Sequence, residues 1–394
     1  MIHLAGGSGT QPRRLIHGML ISATFLATVF LYSLGQLGRI SFLNQQINFY
    51  VYEVFLIISL SILLIKYSRA PLKKFLLKNK ILLLLLYTFL FSYFLSIFNY
   101  PLQQNLVALL YLLRLITYLI YFFYLYLHYL KEKKFHSIMK FGFYYLLFST
   151  LLVGIVQYFL YPNLRNLKYL GWDEHLYRMF GQFFDTTIAG AIYGLLFLAV
   201  FLQKKKNSLK VILLLLLLAA LLLSFSRLTF IAFLTTALVY FFKNQRIKYF
   251  GLLIIFFVLL IFLLPKPAGE GVNLLRTASL ESRVVDYQEG IGYWSKAPLF
   301  GYGYNQIRSL KNQSEVNLHS GAGFSSSFLI ILVCTGIVGL ILFLKLLLDL
   351  GKINIFANYA IIFLSVLSLG DNVLLHPLII FTTGLLIVFF VDHG

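Results

Sequence analysis

Long and almost uninterrupted apolar runs are the feature of this sequence that most limits how the chain can fold. Several extend for about 18 residues or more, enough for a helix to cross a hydrocarbon core of roughly 30 Å. Hydrophobic residues make up 60% of the 394-residue chain and charged residues 12%, so the chain lacks the polar coat that a soluble core needs. Within lipid, backbone polar groups must be satisfied inside the protein. We therefore predict an all-α polytopic membrane protein, with residues 1–394 forming a single integral-membrane domain.

The apolar runs predict about twelve transmembrane helices, and the connections between them alternate in charge. Most Lys and Arg residues lie in one set of short connections, whereas the other set is poor in basic residues for its length. Because Lys and Arg in short loops stay cytoplasmic, both termini are predicted to be cytoplasmic. The longest connection, 265–324, joins spans 9 and 10 and is predicted to be extracytoplasmic. The predicted spans are 15–34, 47–65, 81–98, 106–128, 138–161, 186–202, 209–223, 227–242, 247–264, 325–348, 353–369 and 373–391.

Charge distribution, cysteine content and residue spacing argue against three features: a nucleic-acid interface, a disulfide framework and a metal site. The chain has 33 Lys and Arg residues against 13 Asp and Glu, but they cluster between apolar spans as topology requires, so no nucleic-acid partner is predicted. The single cysteine, Cys334, lies in a predicted helix and leaves no disulfide framework. Asp173, Glu174 and His175 are adjacent, so their side chains point apart and no second ligand pair follows. We predict no metal site.

Four arginines stand out by their position. Arg227 directly precedes an apolar span at the outer edge, where the alternative is a snorkelling anchor. Arg178 lies shortly before another span, and Arg283 opens a predicted helix over 283–294, for which the alternative is a solvated surface helix with one local ion pair. Arg114 lies in the middle of a span, and both a structural ion pair and a substrate role remain open.

Arg178, Arg227 and Arg283 come from three segments of one predicted membrane face and could converge on a diphosphate, since the planar guanidinium matches phosphate oxygens and keeps its proton. No soluble nucleotide-binding motif is present, so the diphosphate is predicted to belong to a lipid carrier. The arginines supply the positive charge, and no cofactor is required. His319 stands alone in the long loop, either solvated or placed for proton transfer near neutral pH.

Four sequence pieces, in their order around one long outer loop, resemble the O-antigen polymerase and ligase family over roughly 178–345. The remaining chain agrees with that family only in the number and placement of its spans. The four pieces are Arg178-Met-Phe-Gly181-Gln-Phe, Leu-Leu-Ser224-Phe-Ser226-Arg227, the stretch from Ser282-Arg283 through Pro298-Leu-Phe-Gly301-Tyr-Gly303, and the stretch from Ser325-Ser-Ser-Phe-Leu through Gly336-Ile-Val-Gly339.

The resemblance implies a membrane glycosyltransferase in a prokaryotic inner membrane, using glycans linked to polyisoprenyl (undecaprenyl) diphosphate. It implies that Arg227 and Arg283 hold the lipid diphosphate and that a glycan acceptor is the second substrate; chain-length regulators or flippases are further candidate partners. In the ligases a His assists the acceptor, but the corresponding position here is Ser325. This favours a polymerase and leaves the base open between His319, a carboxylate (Glu289 or Asp286), or none.

Three other functions remain as alternatives. One is ligase-type transfer to a lipid or protein acceptor, another is a lipid-linked-sugar transporter or flippase, and the third is a scaffold for envelope assembly. A transporter is expected to carry charges mid-span in broken helices at the bilayer midplane. In this sequence only Arg114 is clearly mid-span and the other polar residues collect in outer loops, which favours an enzyme acting at one face.

Overall fold

Helices dominate the computed structural model, which describes residues 10–170, 172, 174–204, 207–265, 272–274, 277–311 and 323–393. The helices in these ranges are α1 (Thr10–Tyr32), α2 (Val51–Tyr67), α3 (Ala70–Lys78), α4 (Lys80–Ser96), α5 (Leu102–Lys131), α6 (Lys133–Leu160), α7 (Thr186–Leu202), α8 (Ser208–Leu223), α9 (Arg227–Lys243), α10 (Ile247–Leu263), α11 (Ala278–Lys296), α12 (Ile307–Leu310), α13 (Ser327–Gly351), α14 (Ile355–Leu367) and α15 (Pro377–Phe389).

Each of the twelve predicted spans overlaps one of these helices, but the number of membrane crossings is not confirmed. Among the described residues, four helices are long and apolar enough to cross a membrane, and five if α2 and α3, which are bent by 97°, count as one span. The remaining apolar helices are shorter. The four helices are Lys80–Asn99, Leu102–Lys131, Lys133–Leu160 and Ser327–Gly351.

A short β-hairpin corrects the all-α prediction. Strands β1 (Arg39–Phe42) and β2 (Ile47–Tyr50) pair antiparallel, so the predicted span 47–65 begins as a strand. Asn44 in the connecting turn has a φ of 51°, a left-handed conformation that its short polar side chain tolerates. The strand escaped prediction because the apolar residues of β2 run directly into those of α2.

The core of the bundle is continuous across most of the helices. Its largest buried cluster draws apolar side chains from α1, α2, α5 to α10, α14 and α15, and a smaller cluster joins α4, α5 and α13. Large apolar side chains also remain exposed on the outside, among them Phe94, Phe159 and Phe262. Exposed apolar surface on this scale is typical of a protein surrounded by lipid.

Two of the sequence pieces that carry the family resemblance, the turn 298–303 and the stretch around Gly336, meet at a break in α13. Gly336 has non-helical angles (φ 66°, ψ −170°), and the turn 298–303 packs into the gap. Backbone N–H groups of this turn donate to the carbonyls of Val333 and Cys334, at 3.0 and 2.9 Å. The turn thereby satisfies carbonyls that the break frees, as membrane-embedded backbone requires.

The long connection 265–324 contains α11, which confirms the helix predicted over 283–294 and begins about one turn earlier. The interpretation of α11 as a solvated helix with one local ion pair is wrong. Arg283 bonds to the α14–α15 link, and Asp286 accepts from the backbone N–H of Ser325 at 2.9 Å. The polar face of α11 is therefore turned toward the protein.

Candidate functional site

The link between α8 and α9 places Arg227 at one end of the bundle. Residues 224–226 form the tight connection that the sequence predicts, with Phe225 fully buried and left-handed at φ 48°. The hydroxyl of Thr229 donates to that of Ser226 at 2.9 Å, and Nη1 of Arg227 donates to the carbonyl of Leu274 at 3.1 Å. Arg227 thus lies on the first turn of α9, where the positive end of the helix dipole adds to its own charge.

Arg283 reaches the same end from α11 through the α14–α15 link. Its Nε donates to the carbonyl of Gly370 at 2.7 Å, and its Nη2 pairs with Oδ2 of Asp371 at 2.9 Å. A Cβ added to Gly370 would lie 3.0 Å from the Leu228 side chain and 3.2 Å from Nε of Arg283. Leu228 directly follows Arg227, so the structure places both of these predicted arginines beside Gly370 in the α14–α15 link.

Asp371 is the carboxylate that pairs with Arg283. Burial raises the pKa of Asp371 to about 7, although attraction to Arg283 opposes the rise, and the nearby charge of Asp185 adds to it. Asp185 itself caps α7, accepting from the backbone N–H groups of Thr187 and Ile188 at 2.7 and 2.9 Å. Two carboxylates and two guanidinium groups therefore meet at this end of the bundle.

Arg178 contacts the α8–α9 link rather than the Gly370 region. Its side chain is 7% exposed; Nε donates to the carbonyl of Ser224 at 2.9 Å and Nη2 to that of Phe225 at 3.2 Å. Arg178 therefore binds the backbone immediately before Arg227. This contact fixes the link that carries Arg227, and Arg178 is also less exposed than the Arg283 side chain, at 7% against 25%.

The predicted bases lie elsewhere or outside the described residues. His319 belongs to the latter group. Glu289 pairs with Nζ of Lys311 at 2.9 Å, and the same ammonium lies 3.3 Å from Asp286. Both carboxylates are therefore engaged by Lys311 rather than by the arginine pair.

Arg114 forms the structural ion pair that was one of its two predicted roles. Its Nε and Nη2 donate to the two carboxylate oxygens of Glu53, at 2.6 and 2.9 Å. Among the described residues, no group of three or more His, Cys, Asp or Glu side chains is placed to hold a metal ion; Asp173 lies outside those residues.

The sequence analysis did not select Asp371, Asp185 or Thr187. A signal for Asp371 was present, since it is an acidic residue in the short outer link between two apolar spans, where an ionisable group is a functional candidate. Asp185 was recognisable only as a helix cap, because it comes directly before α7. The pairing of Asp371 with Arg283 depends on the tertiary fold.

A helical bundle with several helices of membrane-spanning length and a charged site at one end defines a multi-pass helical membrane protein. Residues 212–344 match the family model described as O-antigen ligase, which confirms the family resemblance seen in the sequence. The matched segment covers about a third of the chain, from α8 into α13, and contains both Arg227 and Arg283. Arg178 and Asp371 lie outside it. No curated protein matches the chain.

Proposed function

We propose that this protein is an O-antigen polymerase-like membrane glycosyltransferase that joins glycan repeat units carried on polyisoprenyl diphosphate, at the extracytoplasmic side of a prokaryotic inner membrane. The observation that carries the proposal is the meeting of Arg227 and Arg283 beside Asp371 at one end of the bundle. Both arginines lie within the segment that matches the family. Lipid-linked glycans are the substrates that this family implies.

In the proposed reaction, the two guanidinium groups and the positive end of α9 hold the carrier's diphosphate. An acceptor hydroxyl oxygen forms a bond to the anomeric carbon of the donor glycan. The bond between that carbon and the diphosphate oxygen breaks, and its electron pair leaves with the diphosphate, whose charge the arginines stabilise. The hydroxyl proton passes to a base, for which we propose the Asp371 carboxylate, since its pKa of about 7 suits proton transfer near neutral pH.

Arg178 has a positioning role in this scheme. Its bonds to the carbonyls of Ser224 and Phe225 hold the start of α9, so that Arg227 keeps its direction toward the diphosphate. This replaces the three-arginine clamp predicted from the sequence by a two-arginine clamp with one supporting residue.

The test is glycan transfer in liposomes with a polyisoprenyl-diphosphate oligosaccharide and excess chelator. Wild-type protein is expected to produce a ladder of lengthening glycans. Arg227→Ala and Arg283→Ala are each expected to lower the rate on the order of 10²–10³-fold, as for other groups that stabilise a leaving charge. Arg246→Ala, at an exposed arginine before α10, is the matched control and is expected to keep full activity. His319→Ala, Glu289→Gln and Asp371→Asn are compared to identify the base.

Three outcomes would contradict the proposal or part of it. Full activity of Arg283→Ala would remove the diphosphate site. Movement of labelled lipid across the bilayer without a glycan product would favour the transporter. Loss of activity in chelator would show that the reaction depends on a metal.

Ligase-type transfer is the second candidate, because the matched family model is described as O-antigen ligase. It predicts a single addition to a lipid or protein acceptor in place of a ladder.

A further inference from the structure

A second polar feature lies beside the arginine site. A cavity of about 310 Å³ opens between the β-hairpin, α5, α12 and the link before α15. Five of its lining residues lie on one face of α5, at spacings of three and four residues. Because a helix rises 1.5 Å per residue, the cavity extends roughly 20 Å along α5. These five residues are Gln104, Val107, Tyr111, Arg114 and Tyr118.

At the Tyr118 end of the cavity, Arg114 and Tyr118 form a hydrogen-bonded network with Glu53, and the guanidinium and carboxylate charges of this network balance. Both carboxylate oxygens of Glu53 accept from Arg114, and the hydroxyl of Tyr118 donates to the same carboxylate at 2.6 Å. A further donor of Arg114 reaches the carbonyl of Asn48 at 3.0 Å. Because the guanidinium charge is matched by Glu53, this end suits an uncharged polar ligand better than a phosphate.

Amide, phenol and imidazole groups line the walls of the cavity. Gln104, Asn305 and His376 line the cavity, and Nδ1 of His376 is buried without a hydrogen-bond partner in the described part of the chain. A buried polar atom of this kind calls for a ligand or water. Arg308, also in the lining, donates to the carbonyls of Gln45 and Asn44, both at 3.3 Å, and so ties the hairpin to α12.

The cavity and the arginine pair lie on two sides of one short link. Asp371 pairs with Arg283, and the next residue, Asn372, lines the cavity. The carbonyl oxygen of the Asn372 side chain accepts from the hydroxyl of Ser327 at 3.1 Å, which fixes this link against the start of α13. A ligand in the cavity would therefore lie next to a diphosphate held by the arginines.

We propose that this cavity binds the glycan acceptor with its reacting hydroxyl directed past the edge of the Asp371–Asn372 link, in contact with the anomeric carbon of the donor. The inference rests on the proposed function and adds the acceptor site to it. The cavity volume is at the small end of the roughly 300–1,000 Å³ found for ligand pockets, so it accommodates one end of a glycan rather than a long chain. Its walls combine apolar and aromatic side chains with a comparable number of polar ones, a lining that suits a hydroxyl-rich ligand.

The first test places a larger side chain on the face of α5 that lines the cavity. Val107 is 9% exposed and lines the cavity, whereas its neighbour Leu106 is 51% exposed on the outer face. Val107→Phe is expected to raise the KM for the acceptor roughly tenfold or more, equivalent to about 1.4 kcal/mol of binding, and to leave binding of glycan-free polyisoprenyl diphosphate unchanged. Leu106→Phe, which adds the same ring on the outer face, is expected to change neither.

A second measurement does not depend on turnover. Binding of the free oligosaccharide repeat unit to the detergent-solubilised protein, followed by saturation-transfer NMR, is expected to be lost in Val107→Phe and weakened in Gln104→Leu, a milder change that keeps the proposal testable if the first variant fails to fold. A rise in the donor KM in place of the acceptor KM would overturn the assignment. So would competition at the cavity by inorganic pyrophosphate.

The two proposals fail in different ways. If Arg283→Ala leaves diphosphate binding intact, the proposed function is wrong. If Arg283→Ala abolishes that binding but Val107→Phe leaves the acceptor KM unchanged, only the acceptor site is wrong.

Discussion

At the scale of single residues, Asp371 is a partly buried carboxylate beside a guanidinium group. Its pKa of about 7 means that it gains its charge within the physiological range. If it accepts the acceptor's proton, activity should rise with pH through about 7 and level off above it. A pH–rate profile between pH 5 and 8.5 measures this, and Asp371→Asn should lose both the activity and the rising limb. An unchanged profile in Asp371→Asn would assign the limb to another group.

The same carboxyl affects stability with a defined sign. Its folded pKa lies above the ordinary value of 3.8, so the folded state holds the proton more tightly than the unfolded state. Its contribution to stability is therefore complete below about pH 4 and declines as pH rises toward 7. Thermal unfolding in detergent should show a smaller decline of Tm over this interval in Asp371→Asn. Asp349→Asn, which changes an exposed carboxylate of α13, should keep the wild-type slope.

Arg178 offers a separate test of positioning. Lysine at this position keeps the charge but loses the planar fork that reaches the carbonyls of Ser224 and Phe225. We expect Arg178→Lys to lower the free energy of unfolding by about 1.5–3 kcal/mol, the usual worth of a bond to a charged group. It should lower kcat while the KM for the donor changes little. Arg165→Lys, at an exposed site in the same loop, is the control. A large rise in donor KM would instead place Arg178 on the diphosphate.

The arginines could be found from sequence, and their partners could not. Arg227 and Arg283 stand out because each is a charge placed at the end of an apolar run or at a helix start. Asp371 lies 88 residues from Arg283 and Glu53 lies 61 residues from Arg114, and no local pattern links such pairs. Packing brings them together only after the helices are arranged.

At the scale of elements, the break in α13 depends on Gly336. Its φ of 66° with ψ of −170° is a region that only glycine enters readily, at a cost of about 1–3 kcal/mol for other residues. A Cβ there would also meet the backbone of Leu299 in the turn that fills the break. Gly336→Ala should therefore lower the Tm markedly. Gly251→Ala in α10, where a Cβ has open space, should leave the Tm unchanged or raise it slightly. Equal Tm values for the two variants would contradict this account.

Long apolar elements were predictable, and short or interrupted ones were not. The predicted span 186–202 coincides with α7, because an apolar run with an Asp cap has few alternatives. The hairpin of β1 and β2 and the helix α3 were missed, since each is short and adjoins a stronger apolar signal. The break at Gly336 was visible only as a glycine, because the turn that fills it lies more than thirty residues earlier in the chain.

At the scale of the whole molecule, the structure gathers several connections that the charge pattern predicts to share a face. Arg178 binds the 224–226 link, Arg283 binds the 370–372 link, and Arg308 binds the hairpin turn. Basic residues of the other set, such as Lys66 and Lys210, find their partners within that set, at Glu132 and at the carbonyls of Phe201 and Gln203. This segregation is what alternating loops on two membrane faces require.

The membrane sides themselves can be measured with cysteine labelling, because the native Cys334 is buried and provides a silent background. Ser41 in β1 and Ser208 at the start of α8 are both exposed, so Ser41→Cys and Ser208→Cys are conservative and matched. The alternation of basic loops places Ser41 outside and Ser208 inside. In intact cells, an impermeant maleimide should label only Ser41→Cys, and after permeabilisation it should label both. Labelling of both variants in intact cells would show that the connections do not alternate, and the twelve-span topology would then be wrong even if the fold and the arginine site are right.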